Sequence, residues 1–140
     1  MRVVVDTNVV LSGLLWGGRP GRLLDLARAR SIELYSSLPL IAELAESIGR
    51  EQFAKRIRAA GLSAAELVVD YAQIARLVIP AKIRPTVLED PDDDEVLACA
   101  IACQADLVVS GDSHLRALKN YQGIVILNAA DALSKIEGHR

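Results

Sequence analysis

Six carboxylates stand within seven residues of this chain: Glu89, Asp90, Asp92, Asp93, Asp94 and Glu95. A helix-length apolar run follows, Val96 to Cys103, and then a short strand, Leu107–Val109, that ends on Ser110-Gly111-Asp112. Near the start, the apolar run Val3-Val4-Val5 ends on Asp6. Carboxylates gathered at a helix start and at strand ends repel one another unless a hard cation lies between them, and Mg2+ and Mn2+ prefer such all-oxygen ligand sets. A cation held in this way can acidify water and offset charge on a phosphate. The chemistry this pattern supports is metal-dependent phosphodiester hydrolysis. Taken singly, Asp6 reads as a helix-start residue, Asp112 as a turn residue and 89–95 as a solvated acidic cap. It is their coincidence that carries the reading.

The elements around these residues decide whether they can meet. Val3–Val5 is β-branched and apolar throughout, as in a strand buried on both faces. Thr7 or Asn8 can cap a helix over Val9 to Trp16, which Gly17-Gly18 stops. Arg19-Pro20-Gly21 reads as a connector, Arg22–Arg30 as a helix and Ile32–Tyr35 as a second strand. Ser37 caps a helix with Pro39 in its first turn, and Ile41, Leu44, Ala45 and Ile48 form its apolar stripe. Glu51–Ala59 reads as a further helix. Ser63 and Glu66 form a capping-box pattern that opens a helix to Arg76. Leu77–Ile79 reads as a third strand ended by Pro80, and Ala81–Leu88 as an irregular linker. Ser113 caps a short helix to Lys119, Tyr121-Gln122-Gly123 turns, Ile124–Leu127 is a strand, and Asn128 caps a last helix with Glu137–Arg140 as a frayed tail. Strands alternating with helices predict an α/β fold, a three-layer α/β/α sandwich around a parallel sheet. In such a sheet ligands bind outside the carboxyl ends of the strands, where strand order reverses. Asp6 and Asp112 both fall on that edge. If their strands are neighbours, about 4.8 Å apart, their carboxylates can reach one ion.

The 140 residues fit a single domain, 1–140, large enough for a normal core. The net charge is -2 and aromatics make up only 4%, so neither a basic surface nor extensive base stacking is the main device for gripping nucleic acid. No secretory signal and no long apolar span is present, which points to a cytoplasmic protein with no membrane segment. Cys99 and Cys103 read as packed free thiols in a reducing compartment.

Val3-Val4-Val5-Asp6-Thr7-Asn8, together with Asp94 and the run Ala105-Asp106-Leu107-Val108-Val109-Ser110-Gly111-Asp112, resembles a PIN domain over almost the whole chain. The resemblance implies an α/β/α sandwich and a Mg2+- or Mn2+-dependent endoribonuclease. It also implies a VapC-like toxin, with RNA as substrate, an antitoxin protein as partner and a homodimeric state. By position, Asp6 matches the first family carboxylate, with Asn8 as its polar support. Glu43 matches the second, Asp94 the third, and Asp112 the fourth, with Ser110 beside it. These four acids are the expected catalytic and metal-binding residues. Asp92 and Asp93 compete with Asp94, because only the register of the cap decides among them, and the number of ions is open. Glu43 lies nearly opposite its helix's apolar stripe, so its place rests on the resemblance alone.

Arg50, Lys55, Arg56, Arg58, Lys82 and Arg84 are candidate RNA contacts, although a solvated helix face is the default reading of the cations of 50–58. His114 is a surface helix residue that could touch substrate. Trp16 and Phe53 read as core or interface residues. Two other functions compete with this reading. A haloacid-dehalogenase-like phosphatase also opens with strand–Asp, but it needs a second Asp where Asn8 stands and a later acid where Arg116 and Ala117 stand. A non-catalytic RNA- or protein-binding PIN scaffold has no sequence feature in its favour.

Overall fold

A computed structural model describes residues 1–138. In chain order the elements are β1 (Arg2–Val5), α1 (Thr7–Leu15), α2 (Gly18–Arg28), β2 (Glu33–Ser36), α3 (Leu38–Ile48), α4 (Glu51–Ala59), α5 (Ala64–Ile74) and β3 (Ala75–Leu77). There follow α6 (Asp92–Cys103), β4 (Leu107–Val109), α7 (Ser113–Ala117), β5 (Asn120–Tyr121), β6 (Ile124–Leu127) and α8 (Ala129–Gly138). The strands form one sheet in the order β3-β2-β1-β4-β6-β5, parallel except for the short β5–β6 hairpin. Gln122 and Gly123 turn that hairpin, both with the positive φ that a type I′ turn needs.

Alternation along the strands divides the core. Val3 and Val5 of β1 and Leu107 and Val109 of β4 pack with α1, α2, α3, α5 and α8. Val4 and Val108 point the other way, against Val96, Leu97, Cys99, Ala100 and Cys103 of α6 and Leu115 of α7. Helices thus cover both faces, and the α/β/α expectation holds. Helix α6 is apolar on almost every side because it is nearly enclosed: Leu97, Cys99 and Ala100 have no exposed surface. Cys99 and Cys103 are buried and free. Among the described residues no helix is long and apolar enough to cross a membrane.

The chain leaves β1 to build β2 on one side and returns to place β4 on the other, with Val5 opposite Val109. Strand order reverses at this pair, so the crevice for a ligand opens at the ends of β1 and β4.

Some boundaries differ from expectation. Arg19-Pro20-Gly21 is not a connector but the first turn of α2, where proline's missing N–H costs nothing. Strand β3 is Ala75–Leu77, entered directly from α5. Pairing with Leu34–Ser36 fixes that register and leaves Ile79 90% exposed beyond the sheet. Residues 137 and 138 of the expected tail continue α8, and 139–140 lie outside the described residues.

Candidate active site

Asp6 is fixed first by its backbone. Its amide donates to the Val109 carbonyl at 2.9 Å, which ties the end of β1 to the end of β4. Asp6, not Thr7 or Asn8, is the N-cap of α1, yet its carboxylate makes no capping bond. It turns instead to Ser110, whose hydroxyl donates to Asp6 Oδ2 at 2.7 Å and accepts the Asp112 amide at 3.0 Å. One buried hydroxyl therefore sets both strand-end acids. Asp112 also caps α7 in place of the expected Ser113, accepting the amides of His114 at 2.8 Å and Leu115 at 3.1 Å.

The acidic run supplies the rest. Residues 92–95 form the first turn of α6, with Pro91 at the cap. Asp90, Asp93 and Asp112 each bring a carboxylate oxygen within 4.8 Å of the other two. Asp93 is only 5% exposed, and its Oδ2 is buried with no hydrogen-bond donor. Asp94 behaves differently. Its carboxylate accepts the Thr86 amide at 3.2 Å and the Val87 amide at 2.9 Å, which pins the loop ahead of α6. Of the three competing aspartates, the structure puts Asp93, rather than the expected Asp94, beside Asp112. The reason is helical geometry. Asp90 precedes the helix, and the turn closed by the Asp93 amide on the Asp90 carbonyl at 3.0 Å brings those two residues together, while position 94 is rotated about 100° from 93 around α6.

A cleft of about 210 Å3 opens over these groups. Asp6 and Asn8 line it from the β1–α1 junction, Asp90, Asp92, Asp93 and Asp112 from one wall, and Glu43, Glu46, Ser47 and Arg50 from α3 and its end. Glu43 thus reaches the cleft that periodicity alone denied it. Asp90 belongs to the acidic run but was not among the expected site residues, and neither were Glu46 and Ser47. The i, i+3 spacing of Asp90 with Asp93 and of Glu43 with Glu46 was the available signal. Of the candidate RNA contacts, only Arg50 lines this cleft. Lys55 and Arg56 line a larger, mostly apolar cavity of about 610 Å3 whose lining residues include no carboxylate. Arg58, Lys82 and Arg84 are exposed and apart from both. His114 is exposed beside Asp112, with Nδ1 3.7 Å from its carboxylate.

Crowding shows in the proton affinities. Burial, then the hydrogen bond and charge shared with Asp112, raise Asp93 to about 8. Burial and the charges of Asp6 and Asp92 raise Glu43 to about 7, partly offset by the Thr7 hydroxyl. Burial also raises Asp6, against the Ser110 hydroxyl. Asp112 goes the other way: burial pushes it up, but the Leu115 and His114 amides and the bond to Asp93 outweigh that. The structure leaves Asp93 Oδ2 without a donor, and an all-oxygen donor set with a buried, donorless oxygen suits a hard divalent cation.

A family model described as PIN domain matches residues 2–114, most of the chain and all of these acids. The chain belongs to the PIN domain family. No curated protein and no solved structure matches the chain significantly. PIN domains are generally nucleases, they use divalent metals, and they bind RNA.

The raised acids of this PIN domain predict a pH-dependent stability. Between the ordinary carboxylate range, about 4, and the raised values of about 7 for Glu43 and about 8 for Asp93, the folded chain holds protons that the unfolded chain has released. Stability therefore falls as pH rises through that window. Asp112, held low, loses its contribution only below the window. In chelator, the melting temperature should drop from pH 5 to pH 8, and Mn2+ should restore it most at pH 8. A melting temperature that climbs with pH in chelator contradicts this.

Proposed function

We propose that the protein is a Mg2+- or Mn2+-dependent endoribonuclease, the toxin component of a toxin–antitoxin pair. The observation that carries the hydrolase reading is the Asp90–Asp93–Asp112 cluster, with the donorless Asp93 Oδ2, beside Asp6 at the switch point of the sheet. Asp93, Asp112 and Asp6 would hold the cation, with Asp90 and Glu43 within the same cleft. A divalent ion bound there supplies the charge that acidifies water and stabilises the phosphate in the transition state. Ser110 keeps Asp6 aimed at it. Glu43, raised to about 7, can take up a proton at its carboxylate near neutral pH. Arg50 on the rim offers a guanidinium to a phosphate. Membership of a family that binds RNA supports RNA as the substrate. The toxin role, the antitoxin partner, a homodimer and a cytoplasmic location follow from the likeness to small PIN toxins. Two buried free thiols suit a reducing cytosol.

Purified protein should cleave single-stranded RNA with Mg2+ or Mn2+ and stop in excess chelator. Full activity in chelator removes the metal reading, and binding without cleavage under any divalent condition favours a non-catalytic scaffold. Expression should arrest growth, and co-expression of the neighbouring gene should relieve the arrest. Growth without arrest argues against the toxin role alone. Glu43→Gln should slow cleavage far more than Glu46→Gln, because Glu43 is half-buried toward Asp6 while Glu46 is exposed. Equal rates for the two variants contradict the assignment of Glu43.

A further inference from the structure

Trp16, the chain's single tryptophan, follows α1 directly and is 55% exposed, not a core residue. Phe53 meets it edge-on with ring centroids 5.8 Å apart, and the Arg56 guanidinium lies over its ring at 5.3 Å. Arg56 is held there by donating from Nε to the Leu15 carbonyl, the last of α1. Arg50, Phe53 and Arg56 succeed one another at i, i+3 and i+6 and so form one inclined ridge. The ridge starts at the acidic cleft, which Arg50 lines, and ends at Trp16. Among the described residues neither arginine has a carboxylate partner. Unpaired guanidinium groups interleaved with aromatic rings suit a single strand, whose phosphates take the cations and whose bases take the ring faces. From Arg50 to Arg56 the helix advances about 9 Å, and a stacked strand carries a phosphate about every 3.4 Å. Trp16 therefore stands two or three nucleotides, roughly, from the cleft.

We infer that the Arg50–Phe53–Arg56 ridge leads single-stranded RNA out of the acidic cleft and that Trp16 stacks on a base a few nucleotides from the phosphate held there. This rests on the nuclease reading above. The apolar cavity beside the ridge, lined by Leu14, Ile57, Leu67 and Lys55, would also take a side chain of an acidic peptide. RNA is favoured because the ridge is continuous with the catalytic cleft and because its terminal ring is open to solvent.

The single tryptophan makes the test direct. Protein and a short single-stranded RNA are mixed rapidly in Mg2+, and tryptophan emission is followed through the binding phase, before turnover. The emission should drop with RNA and stay near its starting value with an abasic strand of equal length or with polyglutamate. Trp16→Ala should weaken RNA binding, read by anisotropy of labelled RNA, by about 10-fold, and Trp16→Phe should recover most of it. Unchanged emission at RNA concentrations that saturate the anisotropy overturns the stacking platform. An equal drop with polyglutamate also overturns it and assigns the face to an acidic protein partner. Assaying the same mixtures for products separates the two readings. Quenching without cleavage overturns the nuclease and leaves the platform standing, and cleavage without quenching does the reverse.

Discussion

Asp93→Asn should abolish RNA cleavage, while the adjacent Asp94→Asn should keep it within a few-fold of wild type. Asp93 is the carboxylate buried against Asp112, and its donorless Oδ2 is the group that most needs a cation. Losing the partner of a metal ligand typically costs about 10–100-fold, so losing a ligand itself should cost about 100-fold or more. The same substitution should raise the melting temperature in chelator at pH 8, because it removes a carboxyl whose ionisation the fold resists. Asp94 serves the Thr86 and Val87 amides. Asparagine keeps one acceptor oxygen for them, so Asp94→Asn should cost about 1 kcal/mol of stability and little turnover. Single-turnover cleavage and thermal melts of the two variants decide the matter. Reversed effects would return Asp94 to the cleft.

The second large effect belongs to Asp6. Asp6→Asn should lower cleavage by about 100-fold or more without unfolding the chain. The strand end is held by the Asp6 backbone amide, and the side chain makes no capping bond to α1. Ser110→Ala removes the hydroxyl shared by Asp6 Oδ2 and the Asp112 amide, and should cost about 10–100-fold as a loss of positioning. Ser110→Thr should restore part of it, since its hydroxyl can make the same two bonds. If Asp6→Asn stays folded and turns over at a near-normal rate, Asp6 is outside the site.

Much of this was legible because local signals and tertiary demands agree. The β-branched runs of β1 and β4 could only be buried strands, and their ends delivered Asp6 and Asp112 to one edge. Ser37, Ser63 and Asn128 announced three helix starts with side chains that do accept the expected amides. Where packing decides, the sequence misled. Leu77-Val78-Ile79 is the most apolar run near β3, but pairing with β2 selects Ala75–Leu77. Asp92, Asp93 and Asp94 are chemically identical neighbours. Which one enters the cleft depends on the Thr86 and Val87 amides that capture Asp94, and those come from a loop without periodicity. Trp16 read as a core or interface residue, and it is 55% exposed. It stands just past the end of α1, with Phe53 at its edge and Arg56 over its ring.

A Mn2+ titration of RNA cleavage, with wild type and Asp93→Asn purified side by side, tests the central claim most directly. Wild type should show no cleavage in chelator and a saturable rise with Mn2+, and Asp93→Asn should stay near background over the whole range. Equal cleavage by both proteins, or a wild-type rate that ignores Mn2+, would contradict a divalent-metal nuclease site in this cleft.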